Sequence, residues 1–305
     1  MVRPDHFGFN YETAESNAFQ QEILIGEKQI VKQLALDEFD AFVDNLRKHQ
    51  IDVYVFDSPM NAPDAVFPNN WVSFHDDGKV VIYPMLTANR RIERQQQIMD
   101  VLQKDFVIDD IINVSGEEEK GRILEGTGSI VFDDVNKRAY ANGSPRTDRS
   151  LFYEICDILG YEGVYFKATD EEGTDIYHTN VLMTVGDGYA VLCKEAVDEA
   201  DRESVLTSLY AGGLEVVEIT YEQMRHFAGN MIQLESKLGH QYLVMSKSAF
   251  EILELEQKEK LAEYVDFIFS DIHTIETIGG GSARCMIAGI FLPRKVAFQS
   301  PELTC

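Results

Sequence analysis

Helical and strand patterns alternate from one end of this chain to the other, and this alternation limits the folds open to it. Apolar residues recur at helical spacing over 28–49, and the β-rich run 51–57 follows directly. Further helical patterns lie at 91–104, 148–159, 195–210 and 247–264. Five helix-bearing units of roughly 60 residues fit the length of 305 residues. The alternation predicts an α/β fold.

Strand pairs joined by tight turns lie between the helical patterns. In the clearest pair, 181–193, the sequence VLMTV is joined to YAVLC by GDG. Gly186 and Gly188 can adopt the positive φ that a tight hairpin requires. Hairpins among helices argue against a purely parallel sheet. Because no Pro- or Ser-rich linker interrupts the sequence, we expect residues 1–305 to form a single domain.

The acidity of the chain argues against several classes of partner. Against 27 Lys and Arg stand 52 Asp and Glu, which gives a formal net charge of −25. Nucleic acid and anionic membrane surfaces would be repelled by this charge. No stretch approaches the ~18 apolar residues typical of a membrane helix, and the first ten residues contain no apolar leader segment. We therefore expect a cytoplasmic protein.

The cysteines lie far apart and form no CxxC pair. They are Cys156, Cys193, Cys285 and Cys305. This spacing predicts neither a disulfide framework nor a zinc cluster, and it fits a reducing compartment. Because the histidines are dispersed as well, no metal or organic cofactor is predicted.

The glycine run 279–281 leads through Ser282, Ala283 and Arg284 into Cys285 and an apolar segment. Glycines of this kind let the backbone approach a bound ligand closely. A phosphate-binding loop is excluded, because no Lys-Ser or Lys-Thr follows the glycines. A lone cysteine before an apolar run is typical of an inert buried thiol, so Cys285 needs partners before it can be interpreted as a nucleophile.

Two residues elsewhere in the chain could supply those partners. His178, in YHTN, is predicted at the start of a strand, and Glu125, in LEGTGS, is predicted at a turn among small residues. Attack of a thiolate on a planar carbon bonded to nitrogen needs a general acid/base and a group that orients it. Cys285, His178 and Glu125 meet these needs, although their spacing in sequence does not establish that they converge.

Several motifs together resemble the guanidine-modifying, or pentein, superfamily. The run 279–286 resembles the C-terminal GGPRCM motif of arginine deiminases, with Ser282 and Ala283 altering its middle. GRILEGTGSIVFD and SPRTD, at 121–133 and 144–148, are similar to segments of dimethylarginine dimethylaminohydrolases and amidinotransferases. The group nearest in motif form is that of the citrulline-utilisation hydrolases, which carry FPNNW and HTN as this chain does at 67–71 and 178–180.

The resemblance implies a five-bladed α/β propeller of small mixed sheets and helices with the active site in its central channel. It implies Cys285 as nucleophile, His178 as general acid/base and Glu125 as a carboxylate beside the substrate nitrogens. Arg146, and Arg90 or Arg91, match arginines that hold the substrate α-carboxylate in dimethylarginine hydrolases.

The resemblance also implies that Phe67, at the start of FPNNW, is a substrate-binding residue.

Two positions depart from the arginine-directed relatives. Asn70 and Asn180 stand where arginine deiminases place the aspartates that bind the guanidinium cation. An amide can donate a hydrogen bond to a carbonyl oxygen, which a carboxylate cannot do. A neutral ureido group thus becomes a credible substrate.

The sequence therefore favours a cysteine-dependent hydrolase that cleaves a C–N bond of an arginine- or citrulline-like small molecule through a covalent adduct. Amidino transfer to an amine acceptor stays open, because an acceptor leaves no motif. A non-catalytic, partner-binding pentein is a further alternative, but the matching motifs and the negative charge argue against it. The expected partner is a small molecule, without nucleic acid or membrane, and a homo-oligomer stays open.

Overall fold

The computed structural model describes residues 1–22 and 28–295. Its strands are β1 (Val2–Arg3), β2 (Phe56–Asp57), β3 (Val72–Phe74), β4 (Lys79–Ile82), β5 (Asp110–Asn113), β6 (Val131–Asp133), β7 (Arg138–Asn142), β8 (Glu162–Phe166), β9 (Met183–Val185), β10 (Tyr189–Leu192), β11 (Glu215–Glu218), β12 (Ile232–Glu235), β13 (Gln241–Ser246) and β14 (Asp266–Ser270).

The helices are α1 (Tyr11–Ala14), α2 (Lys28–Lys48), α3 (Gln96–Asp105), α4 (Gly126–Ser129), α5 (Arg149–Leu159), α6 (Thr179–Leu182), α7 (Glu199–Ala211), α8 (Tyr221–Arg225), α9 (Lys247–Ile252), α10 (Leu255–Ala262) and α11 (His273–Gly279). Short 3₁₀ helices lie at Pro68–Asn70, Ala88–Glu93, Ser115–Lys120 and Lys194–Ala196.

One arrangement recurs in four three-stranded sheets. In each, the first strand pairs antiparallel with the second, and the second pairs in parallel with the third. The parallel pair needs a crossover, which α3, α5, α7 or α9–α10 supplies. A fifth unit is formed by β1, α2 and the parallel strand β2. The predicted five-bladed α/β propeller is confirmed.

The first strands of the four sheets surround a central channel. Residues of β3, β6, β9 and β12 line one cavity together with the segment 288–291, which contacts β3 through a bridge between Phe74 and Ile290. Each first strand is preceded by a short segment at one end of the channel and followed by a turn at the other end. The five blades therefore bring residues distant in sequence together at each end of this channel.

The predicted helices differ from the observed ones mainly at their ends. The 28–49 pattern is confirmed by α2, whose Phe39 and Phe42 are fully buried. The helix predicted over 91–104 begins too early, because Ala88–Glu93 forms a 3₁₀ helix and α3 begins at Gln96. The 247–264 pattern is divided between α9 and α10, which are separated at Leu253 and Glu254.

Two strand predictions also needed correction. Of the run 51–57, only Phe56–Asp57 is a strand, because its partner β1 is itself two residues long. The hairpin at 181–193 is confirmed as β9 and β10, but of its two glycines only Gly188 has positive φ, at 87°. A Cβ on Gly186 would lie 2.3 Å from the Tyr189 ring, so this glycine allows close packing instead.

None of the helices in the described ranges combines the length and the apolar character needed to cross a bilayer.

Candidate active site

Most of the predicted site residues lie on short segments that precede the first strands of the sheets, which line the channel and are called the inner strands below. Phe67 is the N-cap and Asn70 the last residue of a 3₁₀ turn before β3, and Glu125 is the N-cap of the one-turn helix α4 before β6. His178 is the N-cap of α6 before β9, so its predicted position at the start of a strand is corrected by one helical turn. Cys285 follows α11 and the glycine run. The channel brings these segments to one end.

At this end the side chains enclose a cavity of about 10 Å³, which we call the front cavity. It is lined by Thr13, Asn17, Asp64, Phe67, Asn70, Arg90, Arg146, Tyr177, His178, Gly279, Gly280, Gly281 and Cys285. Six of the eight predicted site residues are in this set. Of the other two, Glu125 hydrogen-bonds His178, and Asn180 contacts the sulfur of Cys285.

Cys285 is held at the wall of the front cavity by a turn and by two amides. Its backbone N–H donates to the Ser282 carbonyl at 2.9 Å. The Nδ2 groups of Asn230 and Asn180 lie 3.3 Å and 3.5 Å from Sγ. Amide N–H groups directed at sulfur stabilise a thiolate, which is the nucleophilic form of cysteine.

His178 and Glu125 form a buried pair. His178 Nε2 lies 2.9 Å from Glu125 Oε2, and each residue is 1% exposed. Burial lowers the pKa of His178 to about 4, although Glu125 opposes this shift. Burial alone would raise the pKa of Glu125, but Arg146 and His178 hold it well below its ordinary value. At neutral pH the pair is therefore a neutral imidazole and a carboxylate.

This protonation state fixes the tautomer of the histidine. Nε2 faces an ionised carboxylate, so it must carry the ring proton and donate a hydrogen bond to Glu125. Nδ1 is then the unprotonated nitrogen. A neutral imidazole with one unprotonated nitrogen can accept a proton and later return it, as a general acid/base requires.

Glycine at position 128 allows three of these segments to meet. A Cβ there would lie 2.7 Å from Asn70 Oδ1 and 2.7 Å from the His178 ring, closer than real side chains approach. The small residues that follow Glu125 in LEGTGS thus have a packing reason. Any larger side chain at position 128 would displace the histidine or the asparagine.

The two buried arginines bind protein groups as well as facing the cavity. Arg146 Nη1 lies 3.3 Å from Glu125 Oε2, and its Nη2 donates to Ser16 Oγ at 2.8 Å. Arg90 forms two 2.8 Å hydrogen bonds with the carboxylate of Glu93. Arg91, the alternative to Arg90, is 30% exposed in its side chain and pairs with Glu118 outside the front cavity.

Asn70 and Asp64 present unused acceptors. Asn70 Oδ1 and Asp64 Oδ1 are buried and have no hydrogen-bond partner among the described residues. Asp64 Oδ2 is held by Asn10 at 2.7 Å and by Thr13 at 3.0 Å. Unsatisfied buried acceptors are costly, so they point to a ligand that would pair with them.

Sequence reasoning did not assign Asp64 or Asn230 to the site. The signal for Asp64 was a lone acidic residue between Pro63 and Ala65, three residues before Phe67. Asn230 follows Gly229, directly ahead of the segment that leads into β12. Its contact with Cys285 joins residues 55 positions apart, which no local pattern predicts.

A search of curated proteins finds no match. Among solved structures, ArgZ, an arginine dihydrolase of the ornithine-ammonia cycle in cyanobacteria, matches at 18% identity and a TM-score of 0.73, over 94% of this chain. The chain spans only 39% of that longer protein, but the ArgZ N-terminal domain alone matches over 96% of this chain and 98% of the domain, with a TM-score of 0.74.

A dimethylarginine dimethylaminohydrolase structure also matches, at 16% identity and a TM-score of 0.60, over 87% of this chain and 92% of that chain. At such identities these structures establish the shared pentein fold. The family model described as N,N dimethylarginine dimethylhydrolase, eukaryotic, matches residues 3–292 of this chain. With this match over nearly its full length, the chain belongs to the N,N-dimethylarginine dimethylhydrolase family, whose members are C–N hydrolases of guanidino groups.

Proposed function

We propose that this chain hydrolyses a C–N bond in the guanidino or ureido group of an arginine- or citrulline-like small molecule, with Cys285 as nucleophile, and that residues 1–305 act as one catalytic domain. The observation that carries the proposal is the front cavity itself. It combines a sulfur contacted by two amides, a neutral histidine paired with a carboxylate, and two buried arginines.

In the first step the Cys285 sulfur bonds to the planar carbon of the substrate, and the C–N bond to the leaving amine breaks. His178 takes up the thiol proton on Nδ1 and delivers it to the departing nitrogen, so the amine leaves neutral. Glu125 stabilises the transient imidazolium through its bond to Nε2. The product of this step is a covalent adduct on Cys285.

In the second step water attacks the same carbon and the C–S bond breaks. His178 is again neutral, and it removes a proton from the water. The thiolate is the leaving group, and Asn230 and Asn180 stabilise its charge. The carbon gains an oxygen, and Cys285 regains its thiol proton from His178.

Substrate recognition would use both ends of an amino-acid substrate. Arg146 and Arg90 face the cavity with positive charge suited to an α-carboxylate, and Phe67 packs beside the nucleophile loop. Asp64 Oδ1 offers an acceptor for a cationic or N–H-bearing group. Asn70, being an amide, accepts and donates without charge, and this favours a ureido group over a guanidinium.

The small volume of the front cavity adds a requirement. About 10 Å³ has room for roughly one water molecule, not for an amino acid. Thr13, Ser16 and Asn17 cover the site and hydrogen-bond Arg146 and the Gly280 carbonyl. Substrate entry therefore requires this covering segment to move and these bonds to be exchanged for bonds to the substrate.

The test is to incubate the purified protein with arginine, methylated arginines, agmatine and citrulline, and to follow ammonia, urea and ornithine by mass spectrometry. We expect turnover of at least one guanidino or ureido compound and an adduct on Cys285. Added glycine or ornithine should not enter the product. A new amidino compound formed from either amine would instead identify a transferase.

A further inference from the structure

A second cavity lies on the other side of Cys285. It has a volume of about 440 Å³ and is lined by the inner strands of the blades; we call it the rear cavity. Small-molecule sites in proteins commonly measure about 300–1,000 Å³. The rear cavity is thus large enough for an amino acid, whereas the front cavity in this state is not.

The two cavities are separated by a thin layer of side chains around the nucleophile. Arg284, which precedes Cys285, lines the rear cavity, and so does Asn180, which contacts Sγ. The backbone N–H of Arg284 donates to Asn230 Oδ1 at 3.1 Å, while Asn230 Nδ2 contacts Sγ at 3.3 Å. A displacement of Arg284 would therefore shift Asn230 and so change its contact with the sulfur.

Arg284 has donors to spare. Its Nη1 donates to the Ile287 carbonyl at 2.9 Å, and within residues 1–22 and 28–295 no carboxylate lies at ion-pairing distance from it. Burial lowers the pKa of Arg284 to about 10, while the neighbouring Cys285 and Asp134 favour its charged form. It remains a cation at neutral pH, with several N–H groups that a planar anion such as a carboxylate would fit.

The other groups around the rear cavity complement an amino acid. Asp134, Asp187 and Glu235 lie on or beside the turns that follow the inner strands, where they provide negative charge. Phe74, Met183 and Ile232 are among the apolar residues that line the same cavity. A ligand with a carboxylate, an ammonium group and an apolar side chain would find a counterpart for each part.

We infer that the rear cavity is a second ligand site for a zwitterionic amino acid with an apolar side chain, and that its occupation slows reaction at Cys285. The carboxylate would bind Arg284 and the ammonium group would face the acidic rim. Pairing neutralises the cation next to Cys285, so the negative charge that develops on the sulfur during reaction loses a favourable neighbour. This inference goes beyond the proposed function, since it names a ligand that is not turned over.

The test uses L-phenylalanine as the probe and needs no knowledge of the substrate. Cys285 is first alkylated with iodoacetamide, which enters when the covering segment opens, so that the probe cannot bind beside the sulfur from the front. Calorimetry at millimolar probe concentrations should then still detect binding, which Arg284→Gln should weaken about 10- to 100-fold. Phenethylamine and 3-phenylpropanoate, which lack the carboxylate and the ammonium group respectively, should each bind more weakly.

In unmodified protein, L-phenylalanine should slow alkylation of Cys285 roughly tenfold, measured by mass spectrometry. If Arg284→Gln fails to fold, Asp187→Asn serves as the second variant and should weaken binding severalfold. The inference is overturned if the alkylated protein binds no probe, or if Arg284→Gln or Asp187→Asn binds as tightly as wild type. Since neither assay involves turnover, a protein inactive on every guanidino compound could still pass, which separates this inference from the proposed function.

Discussion

The front and rear cavities are two ends of one channel, built from the same five blades, yet they differ in nearly every property. The front cavity has room for about one water molecule, and its polar groups are mostly bonded to one another. The rear cavity is about 440 Å³, with apolar walls, acidic turns and one arginine that forms no ion pair within the described residues.

The difference follows from which part of each blade reaches each end. One-turn helices and a 3₁₀ turn precede the inner strands and fix side chains at the front. Turns after the inner strands form the rear, where Asp134 and Asp187 are exposed. Preorganised polar groups suit chemistry, because they need little rearrangement as charge develops. A roomy apolar space suits binding. The front thus suits the proposed reaction, and the rear suits the proposed ligand binding.

The largest effect should come from Cys285→Ser, which we expect to abolish turnover, because a hydroxyl needs far stronger activation than a thiol. Steady-state rates with the best substrate provide the measurement. Cys156→Ala and Cys193→Ala are matched controls, since burial raises the pKa of these thiols to about 12 and about 11 and keeps them inert. Near wild-type activity in Cys285→Ser, or an adduct on Cys156, Cys193 or Cys305, would refute the assignment of Cys285 as the nucleophile.

His178→Ala should lower kcat by roughly two to four orders of magnitude, the loss typical of a positioned general acid/base. His75 offers a control from the rear side of the channel. It is also buried, and its Nε2 lies 2.8 Å from Ser73 Oγ. We expect His75→Ala to change stability more than kcat. Equal losses of kcat in both variants would mean that the two ends are not functionally distinct.

Acid should destabilise the folded protein through His178. Its pKa falls from the ordinary 6.5 to about 4 in the fold, so between these pH values the unfolded chain binds a proton that the folded chain does not. Stability must therefore decrease as the pH falls from 6.5 to about 4, by about 3 kcal/mol for this group. Urea unfolding at pH 7 and pH 4.5 should show a smaller decrease in His178→Gln. An unchanged decrease would place its origin elsewhere.

The smallest effect concerns Asn70 and Asn180, for which the sequence predicted the same role in substrate recognition. Asn70→Asp should shift kcat/KM toward arginine over citrulline by roughly 10- to 100-fold, since it adds a charge-assisted hydrogen bond to the guanidinium. Asn180→Asp should instead lower activity on both, because it places an anion next to Sγ. The double variant should combine the arginine preference with a lower rate. No shift in the Asn70→Asp preference would show that this amide does not sense substrate charge.

Much of the fold followed from local patterns. In α2 and α5 the core-facing side chains are apolar and recur with the period of the helix, so the pattern is contained within each segment. The strand prediction from the β-rich run at 51–57 was wrong over most of its length. A strand exists only where a partner offers backbone groups, and β1 offers two residues. Pairing lengths are a property of two segments and cannot be read from one.

Cys285, His178 and Glu125 could be proposed from the sequence because their reactivity is a property of residue type and of flanking small residues. Their convergence, the bonding of Asn180 to the sulfur and the pairing of Arg146 with Glu125 arose only when the blades closed. Asn180 and Cys285 are 105 positions apart, and a hydrogen bond depends on distance and angle in space. Residue types and their flanking segments therefore limit the chemistry open to this chain, whereas the closing of the blades selects which groups come into contact.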